Sequence, residues 1–218
     1  MKIIFEKIEC KLWLLGSLHI RYPDFPQNFL PKLYRSDAKD VSLHSNINYL
    51  NQVKLLASSA INLSLAGFVL EESGQHILLE NFIEYFPMLE KFCIYWNDKN
   101  IPPCKNYEKV LTSLQKFPAF RELMFYNLPD NFNIHTFLHC VKHIKIQFKT
   151  KLAFMNESSE AEVENRLEEI VDELNKTKNF DYCPTLIWSY TLRKLKLRKY
   201  APLESKIDQY LKHKRLNL

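Results

Sequence analysis

Glycine is almost missing from this chain: Gly16, Gly67 and Gly74 are the three in 218 residues. Neither G-x-G-x-x-G nor G-x-x-x-x-G-K-[ST] can be assembled from those positions, which excludes a glycine-built cradle for a dinucleotide or a nucleoside triphosphate. The cysteines (Cys10, Cys93, Cys104, Cys140 and Cys183) are odd in number and contain no C-x-x-C. A reduced intracellular compartment is the simpler reading, with Cys93 and Cys140 acting as small hydrophobes in apolar runs. Long apolar runs are lacking too. Glu6, Lys7, Glu9 and Lys11 interrupt any signal-peptide core, and the longest uncharged stretch, residues 55–70, is too short and too rich in Ser and Asn to span a bilayer. A cytoplasmic or nuclear protein with no membrane partner is expected.

What is present is one recurring spacing: an apolar residue, two others, an apolar residue, one other, an apolar residue. It starts at Leu15, Ala38, Ala60, Leu89, Phe120, Val141 and Leu192. The last two apolar positions of each run alternate as in a strand with one buried face. These inward pairs are Leu18 and Ile20, Val41 and Leu43, Leu63 and Leu65, Phe92 and Ile94, Leu123 and Phe125, Ile144 and Ile146, and Leu195 and Leu197. Five of the six intervals between runs lie between 21 and 31 residues, and the sixth is 51. Repetition at such a period predicts stacked units. The linkers read as helices. Asn46 or Asn48 is a candidate cap for a helix through Leu56 with Tyr49, Val53 and Leu56 on one face. Residues 77–86 and 105–117 carry apolar residues at helical spacing and stop at Pro87 and Pro118, and 133–140 is a shorter helix with Phe137 and Leu138 inward.

The expected fold is therefore an α/β solenoid, irregular, with short parallel strands lining one concave face and helices or loops on the other side. With 46% apolar residues and no Pro/Gly/Ser linker, residues 1–218 read as a single domain. The long interval holds an acidic helical insertion at 157–178, with eight acids against Arg166 before Asn175 and a buried stripe of Val163, Leu167, Ile170, Val171 and Leu174. The formal charge of +5 is concentrated at the other end. Residues 192–218 carry +7 and everything before them −2, so the basic tail at 201–218 and the run before it make the chain basic.

The L-x-x-L-x-L spacing resembles the strand segment of leucine-rich repeats, which place Asn or Cys three residues after the last apolar position. Asn46 follows Leu43 and Asn97 follows Ile94 at that distance; the other copies have Pro23, Phe68, Leu128, Lys149 and Tyr200. Together with Leu30-Pro-Lys-Leu33-Tyr-Arg-Ser-Asp-Ala38, Phe86-Pro-Met-Leu89-Glu-Lys-Phe92 and Leu192-Arg-Lys-Leu195-Lys-Leu197, the pattern is similar to the leucine-rich-repeat-like region behind the F-box in families expanded in nematodes. That resemblance, over roughly residues 15–200, implies a substrate-recognition part of an F-box-type ubiquitin ligase receptor that holds a protein substrate. No F-box is recognisable in the chain, so a Skp-type adaptor is implied as a partner only where an F-box is supplied upstream.

Sites of chemistry are weaker than they look. His135, His139 and His143, with Cys140 alongside, have the residue types of a metal site. The glutamate of H-E-x-x-H is missing, however, and His143 falls in an expected strand, so no metal ligation is expected. Cys93 or Cys104 as a nucleophile would need a positioned histidine and acid, which nothing places; Cys104, after Pro102-Pro103, reads as the most exposed thiol. No catalytic residue and no cofactor is expected. The basic end (Arg193, Lys194, Lys196, Arg198, Lys199, Lys212, Lys214, Arg215) offers the alternative function, binding of nucleic acid or another anionic partner. No stacking motif accompanies it, so nucleic acid is not the expected partner.

A partner surface can be read in columns along the outward positions. The residue between each inward pair gives His19, Ser42, Ser64, Cys93, Met124, Lys145 and Lys196; the residue after it gives Arg21, His44, Ala66, Tyr95, Tyr126, Gln147 and Arg198. Tyrosine and arginine bury large area and keep a polar handle. The expected binding residues are Tyr95, Tyr126 and Met124, with Lys145, Lys196 and Arg198 steering an acidic segment of a protein partner.

Overall fold

An x-L-x-L stretch puts two apolar side chains on one face of an extended chain, and burying that face selects strand over coil. The structure, a computed structural model, describes residues 10–21, 30–96, 104–128, 132–144, 146, 148–154 and 185–186. Among them the chain forms β1 (Leu12–Ile20), β2 (Leu33–Tyr49), α1 (Leu50–Leu56), β3 (Asn62–Leu70), α2 (Leu79–Phe82), β4 (Lys91–Tyr95), α3 (Tyr107–Gln115), β5 (Glu122–Leu128), α4 (Ile134–Ile144), β6 (Lys149–Phe154) and β7 (Thr185–Leu186). The described strands make one sheet in chain order, and every neighbouring pair is parallel. Parallel neighbours need a crossover, which α1 to α4 supply in turn for the four connections from β2 to β6. The result is a mixed α/β fold with a parallel sheet and helices packed on one face.

The register aligns the inward pairs. Val41 lies opposite Leu63, Leu63 opposite Phe92 and Phe92 opposite Leu123. Leu43, Leu65, Ile94, Phe125 and Leu152 form the second row, each at most 6% exposed. Against them the helices set Val53 and Leu56, Phe82, Val110, Leu111 and Leu114, and Phe137, Leu138 and Val141, all buried. Phe82 stacks on Phe92 at 5.8 Å between centroids, and Phe137 meets Phe125 edge-on at 6.0 Å. The entry to each strand repeats as well. Phe86 and Phe117 each precede a proline and accept a hydrogen bond from the backbone N–H three residues on, Leu89 at 3.2 Å and Phe120 at 3.3 Å. Proline at the second position of such a turn fixes its φ and ends the helix before it.

Several expectations change. Val141 to Ile146 is not a strand: α4 runs through Ile144, and β6 follows at Lys149–Phe154, with Thr150 opposite Leu123 and Leu152 opposite Phe125. An apolar residue, two others and another apolar residue is also one turn of helix, and Phe137, Leu138, Val141 and Ile144 together make a helical stripe. Thr150, fully buried with no partner for Oγ1 among the described residues, stands where the pattern demanded a hydrocarbon, which hid the strand. Leu15 is 65% exposed: Leu12, Leu14, Leu18 and Ile20 face the core, so alternation along β1 turns Leu15 outward with Ser17 and His19, and the extra residue at this point, Lys39, is on β2. Neither Asn46 nor Asn48 caps α1, since Tyr49 stands at that position without a side-chain bond. Asn48 is instead buried and donates through Nδ2 to the Ala66 carbonyl at 2.8 Å, tying β2 to β3. Asn106 and Asn133 do cap α3 and α4, accepting from the N–H groups of Lys109 and Thr136 at 2.9 Å. The acidic insertion at 157–178, the seventh run at 192–197, the tail at 201–218 and Cys183 lie outside the described residues.

Removing a fully enclosed side chain from this interlocked row leaves a cavity that rigid neighbours cannot fill. Leu123→Ala is expected to cost about 2–5 kcal/mol, and Leu15→Ala about 0.5 kcal/mol or less. Denaturant unfolding of the two variants against the parent checks this ordering; equal losses would place the core elsewhere.

Candidate functional site

With the inward pairs buried, the residues between and after them must face the other way, and the register lines them up in rows. One row runs Asp40, Asn62, Lys91, Glu122, Lys149; the next runs His19, Ser42, Ser64, Cys93, Met124, Lys151. A third runs His44, Ala66, Tyr95, Tyr126. The middle of this face carries a shallow groove of ≈ 270 Å³ floored by Ser42, Ser64 and Cys93, with His19 at one side and Tyr95, Met124 and Tyr126 at the other.

Tyr95 and Tyr126 are half-buried and stack, with ring centroids 4.7 Å apart and planes 10° from parallel. Adjacent strands lie about 4.8 Å apart, so equivalent rings on β4 and β5 meet face to face without leaning. On the other side of Tyr95 the neighbour is Ala66, which has no side chain beyond Cβ. The ring of His44 therefore reaches over β3 to lie 4.9 Å from Tyr95. His44 Nε2 also lies 3.2 Å from Ser64 Oγ, and the Tyr126 hydroxyl donates to Met124 Sδ at 3.6 Å.

Burial pushes the Cys93 thiol up to about 11 and the Tyr95 hydroxyl up to about 12, and Tyr126 rises for the same reason. All three stay uncharged at neutral pH, so the centre of the face is neutral and half-apolar. His44 is moved the other way: burial first, then the charges of Arg21 and His19, hold it below the ordinary imidazole value. At the opposite end of the strands the two carboxylates have partners. Asn62 donates to Asp40, and Lys151 Nζ forms an ion pair with Glu122.

The structure brings together Tyr95, Tyr126 and Met124 as expected. Lys145, Lys196 and Arg198 lie outside the described residues. Because β6 begins at Lys149, the place in the row expected for Lys145 is taken by Lys151. Reading along the residues missed Lys151 and the part played by His44; the Lys149-Thr-Lys-Leu alternation was the available signal for the first, and the second has none. Cys104 is not exposed but buried at 3%. The N–H of Lys105 donates to Glu80 Oε1 at 3.3 Å, tying this segment to α2, and burial followed by the Glu80 charge pushes the Cys104 thiol far up. His143 is helical, so His135, His139 and His143 follow one another along the exposed side of α4, with the last two rings 4.5 Å apart. Among the described residues no three metal-ligating side chains gather to hold an ion, and no helix is long and apolar enough to cross a membrane.

Comparison with protein-family models, with curated proteins and with solved structures finds no match to this chain.

The thiol environments give a direct check. Folded protein alkylated near neutral pH should be modified at exposed Cys10 and spared at Cys93 and Cys104 until it is unfolded, as read by peptide mass spectrometry. Folded Cys93 keeps its proton beyond the ordinary thiol value of 9.0, up to about 11. Its contribution to stability is thus fully present below 9.0 and is lost as pH rises toward about 11. A fall in melting temperature over that window should be shallower in Cys93→Ala.

Proposed function

We propose that this chain is a non-catalytic protein-interaction module whose outer sheet face holds a protein partner at Tyr95, Tyr126 and Met124. The single observation that carries the reading is the Tyr95–Tyr126 stack, with rings 4.7 Å apart at the rim of a shallow groove. Two rigid rings fixed side by side lose little entropy on binding, offer area to an apolar side chain and keep hydroxyls at their edges. The groove itself is broad and floored by small side chains, a shape suited to a protruding segment of another chain.

The finer architecture belongs to the same proposal: an irregular leucine-rich-repeat-like solenoid, supported by the L-x-x-L-x-L runs, the parallel strands in chain order and the repeated Phe-Pro turn before β4 and β5. The role as substrate-recognition part of an F-box-type ubiquitin ligase receptor rests on the family resemblance alone, and a Skp-type adaptor enters only with an F-box upstream. The alternative, a nucleic-acid or anionic-partner module using the basic C-terminal end, rests on residues outside the described ones. On the described face Lys91, Lys149 and Lys151 alternate with Asp40 and Glu122, which does not favour a phosphate backbone.

The test is a comparison of the parent chain with Tyr95→Ala/Tyr126→Ala. Proteins captured by the parent are identified by mass spectrometry, purified and titrated against both. Loss of direct binding by about tenfold or more in a double variant of unchanged circular dichroism is expected, since two anchors are removed. Full retention by the folded variant moves the site off this face. A steep salt dependence of binding to generic RNA, lost on neutralising the C-terminal lysines, would establish the alternative instead.

A further inference from the structure

We propose that the end of the sheet face where His19, Arg21 and His44 converge receives an acidic side chain of the protein partner, beside the Tyr95–Tyr126 stack, and that protonation of His44 tightens this contact. The inference deepens the interaction-face reading and rests on it.

The three basic residues meet because of register. His19 lies opposite Ser42 and Ile20 opposite Leu43, so Arg21, next along the chain, comes beside His44 on the neighbouring strand. The charge of Arg21 acts on both His44 and the Tyr95 hydroxyl, and that of His19 acts on His44. From β3 and β4 the groups facing His44 are Ser64 and the ring of Tyr95, neither charged at neutral pH, and among the described residues no carboxylate is one of the groups whose charge acts on it. The acids elsewhere on the face are engaged: Asp40 with Asn62, Glu122 with Lys151, and Asp37 with Arg35 and the Trp13 indole. Among the described residues Arg21 has no ion pair. This end of the face thus sets, among the described residues, Arg21 and two imidazoles together with no paired carboxylate, next to its aromatic anchor, and a carboxylate is the charge that fits there.

His44 is the adjustable member. Neutral, its Nε2 shares a proton with Ser64 Oγ at 3.2 Å. Charged, it donates from both ring nitrogens, one to Ser64 and the other available to a partner. Burial first, then the charges of Arg21 and His19, disfavour that charge in the free protein, and a bound carboxylate offsets the two charges. Binding therefore takes up a proton, and affinity rises as pH falls while the partner's acid is still ionised.

The probe is a displayed library of random peptides of about twelve residues, selected on the full chain at about pH 5.5; enriched peptides are synthesised and titrated at about pH 5.5 and pH 7.5. Expected are sequences bearing Asp or Glu that bind about tenfold tighter at the lower pH, as one linked imidazole allows. They should lose most of their affinity when the acid is made an amide, and lose the pH dependence with Arg21→Gln/His44→Gln. His44→Lys, charged throughout, should bind at the higher pH as the parent does at the lower, which guards against reading a folding defect as lost contact. Peptides that need Tyr95 and Tyr126 yet bind equally as amides, or equally at both pH values, overturn this inference and leave the interaction face standing. Enriched peptides indifferent to Tyr95→Ala/Tyr126→Ala overturn the face itself, and the inference with it.

Discussion

Leu63 and Leu65 lie opposite Phe92 and Ile94, which lie opposite Leu123 and Phe125, and the chemistry of the outer face follows from that alignment. Side chains alternate along a strand, so a slip of one residue on β4 would turn Cys93 and Tyr95 into the helix layer and Phe92 and Ile94 into water. Two large apolar side chains per strand, each worth about 1.5–3 kcal/mol on burial, oppose that slip. The helices add to the constraint, because Phe82 and Phe137 occupy the spaces left by the rings of Phe92 and Phe125.

With register held from beneath, contacts above become matters of size. Tyr95 and Tyr126 stack because adjacent strands are spaced like stacked rings, an arrangement worth about 0.5–1.5 kcal/mol beyond the area it covers. His44 joins them only because Ala66 leaves room, and Ser42 and Ser64 keep the floor of the groove low. The same crowding desolvates Cys93 and both tyrosines and keeps them neutral, so ionic character is left to the margins of the face. Among the described residues the acids of one margin have partners, Asp40 in Asn62 and Glu122 in Lys151, and the other margin sets His19, Arg21 and His44 together with no paired acid.

Much of this was legible beforehand. Val41 and Leu43, Leu63 and Leu65, Phe92 and Ile94, and Leu123 and Phe125 were readable as inward pairs, since alternation with a period of two has few other uses in a short apolar run. The grouping of Tyr95, Met124 and Tyr126 followed from them. The failures share one cause: local spacing does not say which partner an apolar side chain has. Val141 and Ile144 satisfy the strand pattern and a helical turn equally, and Phe137 and Leu138 decide for the helix. Thr150 breaks the pattern yet is fully buried, because its place opposite Leu123 puts it on the core face whatever its polarity. Cys104 looked exposed beside two prolines, but the Lys105–Glu80 hydrogen bond holds that segment against α2.

The sequence by itself determined the class of fold, since repeated inward pairs separated by helical linkers can bury their apolar faces only as parallel strands beneath a helix layer. It also determined which face of each central strand would be wet. Only the tertiary structure decided which side chains meet on that face, because cross-strand neighbours come from repeats some twenty to thirty residues apart and their pairing depends on bulges near Gly16 and after His44 that no local pattern announces. The approach of His44 to Tyr95 across Ala66, the replacement of Lys145 by Lys151 and the gathering of Arg21 with two histidines are all consequences of that register.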